Sequence, residues 1–197
     1  MQSRGSYLVP SNQAIENTPK DVTNLYIGMH GEPRERNLSE EGLTVVNFYS
    51  LGLTQLQSIS IGSGCFEEIE EFVLDGLEKL ENIRVGNSSF SDCGRICRIT
   101  NCPNLRQLLI SYDSFGLFDR FELSNVNSLQ SIQIDSDCFR GIKSCMLKGE
   151  WNEWMNDNDN DNDNDNNALD LPSLEQVTFG IGSFTGCPLV QFESMKW

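Results

Sequence analysis

From Leu56 onward the apolar residues fall into a fixed phrase. LQSISIGSGCF runs from Leu56 to Phe66, and LENIRVGNSSF from Leu80 to Phe90. Leucine opens the phrase at Leu56, Leu80, Leu105, Leu129 and Leu174. Phenylalanine closes it at Phe66, Phe90, Phe115, Phe139 and Phe184. Both series step by 24, 25, 24 and 45 residues. The interior agrees: Ile59, Ile83, Leu108, Ile132 and Val177, then Ile61, Val85, Ile110, Ile134 and Phe179. A glycine or turn-former follows at Gly62, Gly86, Ser111, Asp135 and Gly180. Chance clustering of apolar residues does not hold phase in this way, so the pattern is an internal repeat.

Within each phrase the central residues alternate apolar with polar, the period of a half-buried strand. A second alternating segment lies in each unit, at Phe72 and Leu74, Cys97 and Ile99, Phe121 and Leu123, Cys145 and Leu147, Val190 and Phe192. Each unit is therefore expected to hold two short strands joined by turns, with no room for a full helix. The closing Phe and the small residue before it (Cys65, Ser89, Ser114, Cys138, Ser183) are expected to turn the corner and let successive units stack closely.

The last interval exceeds 24 by 21 residues. The excess falls on WNEWMNDNDNDNDNDNNALD, Trp151 to Asp170, and removing it restores the phase. It reads as an insertion into a surface loop. The phrase resembles the leucine-rich repeat superfamily, and within it the BspA-like, or Treponema pallidum-type, subclass. That subclass has units of this length, an LxxIxI…xxxF phrase, and strands in place of convex helices. The resemblance covers about 43–192. The wording departs from the family's usual IGxxAF, since here it is IGSGCF, VGNSSF and FGIGSF.

The expected fold class is a β-rich, leucine-rich-repeat-like solenoid of about 24-residue units. Residues 1–42 are expected to form an irregular N-terminal cap, within which VTNLYIG (Val22 to Gly28) reads as a degenerate first strand. Residues 43–197 are expected to form the array, with a disordered acidic Asn/Asp insertion at 150–170. One unit cannot bury its own apolar face, so stacking supplies the core. An array stopping at Trp197 is expected to leave an open apolar edge, which invites self-association through the C-terminal side.

Composition changes this picture little. The 197 residues suffice for one domain, and 38% hydrophobic with 22% charged residues is not a disordered composition. Eight acidic residues and no Lys or Arg lie between 150 and 170. The formal charge of −15 falls to −7 once those eight are set aside. An acidic surface repels phosphate backbones, so nucleic acid is not an expected partner. No apolar run is long enough for a membrane-spanning helix, and the first twenty residues hold no secretory core. The seven cysteines (Cys65, Cys93, Cys97, Cys102, Cys138, Cys145, Cys187) are odd in number and read as reduced thiols. The expected location is cytoplasmic, or extracellular if a leader precedes this chain.

Candidate chemistry is sparse. Alternation puts Ser58, Ser60, Asn82, Arg84, Gln107, Leu109, Ser131, Gln133, Gln176 and Thr178 on the outer face of the phrase strands. In leucine-rich repeat proteins this face is the usual partner surface, so the resemblance implies protein binding there. A solvated sheet face with no ligand is the alternative. The tract Asn156–Asn167 offers oxygen ligands for calcium. Setting Asp159 at the start of an EF-hand loop places Asp161, Asp163 and Asp170 at ligand positions. Asn164 then stands where glycine is needed, no bidentate Glu closes the loop, and a disordered low-complexity loop is the expected state. Cys93, Cys97 and Cys102 lack paired zinc spacing, and Cys97 and Cys102 fall in apolar columns.

His30 is the single histidine, and no nucleophile, phosphate-binding or metalloprotease motif occurs. The carboxylate pairs Glu67/Glu68 and Glu70/Glu71 read as a solvated rim. The sequons at Asn37 and Asn87 carry little weight without a leader. Trp151 and Trp154 either pack back on the array or form an aromatic-acidic recognition segment. The expected function is a non-enzymatic scaffold for an unidentified protein partner, without cofactor or metal. A cell-surface adhesin-like protein and a weak calcium-responsive module are the alternatives.

Overall fold

The structure is a computed structural model that describes residues 5–9, 15–28, 45–48, 51–67, 69–92, 94–148, 171, 173–187 and 190–192. The chain alternates between two parallel sheets. The first contains β1 (Ser6–Val9), β2 (Asn24–Ile27), β4 (Ser58–Ile61), β6 (Asn82–Val85), β8 (Gln107–Ile110), β10 (Ser131–Ile134) and β12 (Gln176–Phe179), in that order. The second contains β3 (Val45–Asn47), β5 (Glu71–Asp75), β7 (Gly94–Thr100), β9 (Phe118–Ser124), β11 (Ser144–Lys148) and β13 (Val190–Phe192). Neither sheet closes into a barrel. Among the described residues the only helical element is a 3-10 turn, Ile15–Asn17, and no helix is long and apolar enough to cross a membrane.

The apolar phase read from the sequence becomes the pairing register. Ile59, Ile83, Leu108, Ile132 and Val177 are partners across adjacent strands of the first sheet. Phe72, Cys97, Phe121, Cys145 and Val190 are partners across the second. Parallel strands buried on one face alternate inward apolar and outward polar residues. Ile59, Ile83, Ile132, Leu74, Ile99 and Leu123 accordingly have no exposed surface. Each such side chain contributes about 1.5–3 kcal/mol of burial before entropy is counted. The long interval leaves the register intact: Ser131 pairs with Gln176, and Cys145 with Val190. The extra residues fall between β11 and β12, and the Asn/Asp insertion itself lies outside the described residues.

VTNLYIG does supply a strand, β2, in register with β4. Beyond it β1 adds a further parallel strand that the phrase does not announce. β12 ends the first sheet. Its inward Val177 and Phe179 are half-buried, whereas Ile132 and Ile134 one strand earlier are fully covered.

The corners after β4, β6, β8, β10 and β12 are built by phenylalanines. Phe66, Phe90, Phe115, Phe139 and Phe184 all adopt left-handed backbone, with φ between 53° and 59°. For a bulky residue this costs about 1–2 kcal/mol each. The rings stack in a ladder: Phe90 on Phe115 at 4.6 Å and 5°, Phe115 on Phe139 at 5.1 Å and 3°, Phe139 on Phe184 at 5.2 Å and 10°. Ring burial and pairwise stacking, at about 0.5–1.5 kcal/mol per pair beyond burial, offset the backbone strain. Each Phe N–H from Phe90 onward also donates to the carbonyl of the small residue one phrase earlier, as Phe115 does to Ser89 at 3.0 Å.

The small residues form a second ladder beneath the rings. Ser89 Oγ donates to the Gly62 carbonyl at 2.8 Å, Ser114 Oγ to Gly86 at 2.8 Å, Cys138 Sγ to Ser111 at 3.1 Å and Ser183 Oγ to Asp135 at 2.6 Å. Ser89 and Ser114 are fully buried, and these bonds satisfy hydroxyls that would otherwise destabilise the core. The turn after the second sheet has its own left-handed column: Gly52, Gly76, Asn101 and Asn125. Asn101 Nδ2 donates to Asp75 Oδ1 at 2.7 Å, and Asn125 Nδ2 to Asn101 Oδ1 at 2.7 Å.

Candidate functional site

The outer face of the first sheet carries two straight columns of side chains. Register aligns Asn24, Ser58, Asn82, Gln107, Ser131 and Gln176 in one, and Tyr26, Ser60, Arg84, Leu109, Gln133 and Thr178 in the other. Neighbouring strands in such a sheet lie about 4.8 Å apart. All ten residues expected on this face are therefore on it. Arg84, Gln107, Gln133, Gln176 and Thr178 are exposed, while Ser58, Ser60, Asn82 and Ser131 are half-buried. Leu109 is half-buried as well, and Arg84 and Gln133 flank it in the same column. Ser6, Leu8, Asn24 and Tyr26 extend the face to β1 and β2, which the sequence reading did not include.

The face is not uniform. At its β2 end Ser58 Oγ donates to Asn24 Oδ1 at 2.6 Å, and Asn24 Nδ2 to Thr23 Oγ1 at 3.1 Å. At its β12 end Gln133 Nε2 reaches Asp135 Oδ1 at 3.3 Å, and Gln176 Nε2 reaches Thr178 Oγ1 at 3.4 Å. Between them the side chains of Asn82, Arg84, Gln107 and Ser131 have no hydrogen-bond or ion-pair partner among the described residues. These four line a shallow depression of about 120 Å³ with Leu109 and Gln133. That volume suits one side chain or a short stretch of backbone, well below the roughly 300–1,000 Å³ of a small-molecule or cofactor site.

The second sheet's outer face holds several pairs within itself, although the exposed Arg120 has no ion pair among the described residues. Arg98 Nε pairs with Glu122 Oε2 at 3.1 Å, and Thr100 Oγ1 donates to Asp75 Oδ1 at 3.0 Å. Along its rim Arg95 lies 3.8 Å from Glu71, and Lys143 lies 2.9 Å from Asp119. Glu71 is the first residue of β5, and Glu70 lies 4.0 Å from Arg95. These pairs are solvent-exposed and contribute little to stability, about 0–1 kcal/mol each. Their effect is to leave few polar groups on that face free for a partner.

Five of the six described thiols are buried core residues, and Cys187 is half-buried. Cys97, Cys102 and Cys138 have no exposed surface, and Cys65 and Cys145 are 2% and 3% exposed. Burial pushes Cys65 and Cys138 up to about 11 and Cys102 and Cys145 up to about 12, and it raises Cys97 well above the ordinary thiol range. Protonated thiols are poor metal ligands and poor nucleophiles. No group of three or more metal-ligating side chains occurs among the described residues. Cys93, His30, Asn37, Glu68, Trp151, Trp154 and the calcium candidates Asp157–Asp165 lie outside the described residues.

Comparison of the chain with protein-family models, with curated proteins and with solved structures gives no match.

Proposed function

We propose that the chain is a non-enzymatic protein-interaction scaffold, a leucine-rich-repeat-like solenoid of about 24-residue units that displays its first-sheet face to a protein partner. One observation carries the reading: Asn82, Arg84, Gln107 and Ser131 converge on a depression, and their side chains have no hydrogen-bond or ion-pair partner among the described residues. On the second-sheet face, by contrast, Arg98 pairs with Glu122 and Thr100 with Asp75. The strands beneath hold these side chains on a regular lattice, so little backbone ordering is needed on association. The sequence resemblance supports the same face, because it is where leucine-rich repeat proteins bind. The proposed setting is cytoplasmic.

The test is an affinity capture from a cell extract with the intact chain and with the double variant Arg84→Glu/Leu109→Glu, both first shown by circular dichroism to fold alike. A partner held by the intact chain and lost by the variant supports the scaffold reading. A partner held equally by both places the binding surface elsewhere and overturns it.

A further inference from the structure

The chemistry of the depression narrows the partner. This inference rests on the strand-face reading and goes one step beyond it. Arg84 is the single charge in the two outer columns from β1 to β12; no carboxylate stands in either column. In a chain with 29 acidic and 14 basic residues, Arg95, Arg98, Arg140 and Lys143 sit beside a carboxylate, while Lys20 and Lys79 bond to the Leu51 carbonyl and the Gln55 side chain. Arg106 and Arg120 also lack an ion pair among the described residues. Arg84 differs from them because it shares its depression with other unpaired polar groups.

A guanidinium keeps five donors in a planar fork that matches a carboxylate bidentately. The carboxamides of Asn82 and Gln107 stand at adjacent strand positions, and neither is bonded to another group among the described residues, so each presents both a donor and an acceptor. That combination matches the N–H and C=O of a peptide main chain. Leu109, in register with Arg84 on the next strand, offers an apolar contact beside the charge. A phosphate backbone is a poor match, since polyanion binding needs several cations and this face has one.

We propose that the depression between β6, β8 and β10 is a docking site for an acidic peptide. One Asp or Glu carboxylate pairs with the Arg84 fork. The flanking main chain bonds Asn82 and Gln107, and a neighbouring apolar side chain lies on Leu109.

The probe is a set of three immobilised peptide pools, each randomised at the flanking positions and fixed at the centre as Glu, Gln or Lys. Retention of the intact chain is compared with that of Arg84→Gln, Arg84→Lys and Leu109→Asp, each shown to melt like the intact chain. The expected result is about tenfold or greater preference for the Glu pool over the Gln pool, the scale of one charge-assisted bidentate contact. Arg84→Gln should erase that preference, and Arg84→Lys should retain only a few-fold of it, because the fork is gone while the charge remains. Added salt should reduce the preference, as the pair is exposed.

Equal retention on the Glu and Gln pools, lost in Leu109→Asp, would overturn the acidic-peptide inference and leave the strand-face reading standing. Stronger retention on the Lys pool would also overturn it, as would no retention on any pool. Equal retention of all variants would remove the face as well.

Discussion

Replacing Phe115 with alanine tests the ring ladder. Phe115 is fully buried at the centre of the ladder. Its ring stacks on Phe90 and Phe139, meets Phe118 edge-on at 5.0 Å, and lies tilted against Phe72 at 5.7 Å. Deleting a buried phenyl group leaves a cavity and costs about 3–5 kcal/mol. Alanine inherits the left-handed backbone at φ 55°, so the strain of about 1 kcal/mol is not recovered. Phe66 occupies the same position in the first phrase, yet its ring partner among the described residues is Phe90 alone, at 5.2 Å. Phe115 makes three more ring pairs than Phe66, and at about 0.5–1.5 kcal/mol each Phe115→Ala should cost about 1.5–4.5 kcal/mol more than Phe66→Ala. Urea unfolding followed by circular dichroism reads both values, with an unchanged denaturant slope as the check on comparability. Equal midpoint shifts for the two variants, or a loss below about 1 kcal/mol at Phe115, would refute the ladder argument.

Other consequences follow from the same geometry. Ser114→Ala removes the donor to Gly86 and the acceptor of the Ser89 N–H, and should cost about 1–3 kcal/mol in urea unfolding. Ser114→Cys should cost less, because Cys138 already fills the equivalent position with a bond to a carbonyl. Asn101→Gly should be nearly neutral by thermal melting, since Gly76 fills the neighbouring left-handed position, whereas Asn101→Val should cost about 2 kcal/mol or more. The buried thiols have folded pKa values raised above the unfolded value near 9, so their contribution is complete below about pH 9. It is lost as pH climbs through about 11 to 12. Melting temperature measured from pH 8 to 12 should fall across that window, and less steeply in Cys102→Ala.

Much of this architecture is written in the chain because strand period and unit period are both visible. Leu56, Ile59 and Ile61 recur at fixed distances, and fixed distances in sequence become the register of parallel strands. β1 escaped because its spacing breaks phase: Ser6 to Asn24 is 18 residues and Asn24 to Ser58 is 34. Tyr26 was missed on the outer face for the same reason. The recurring Phe announced a corner, but not its left-handed backbone, since phenylalanine ordinarily avoids that region and only the stacked ring ladder offsets the cost. Alternation placed the ten face residues correctly. It could not separate engaged from unengaged polar groups, because Gln133 finds Asp135 while the Gln107 side chain has no partner among the described residues, and that depends on side-chain reach.

The central claim is that a partner meets the first-sheet face. Site-specific photo-crosslinking tests it most directly, with a benzophenone side chain placed at Gln107 on that face or at Arg120 on the opposite one. Both positions are exposed on central strands, so neither insertion opens the core. The account predicts an adduct with the captured partner from position 107 and none from position 120. An adduct from 120 with none from 107 would contradict it.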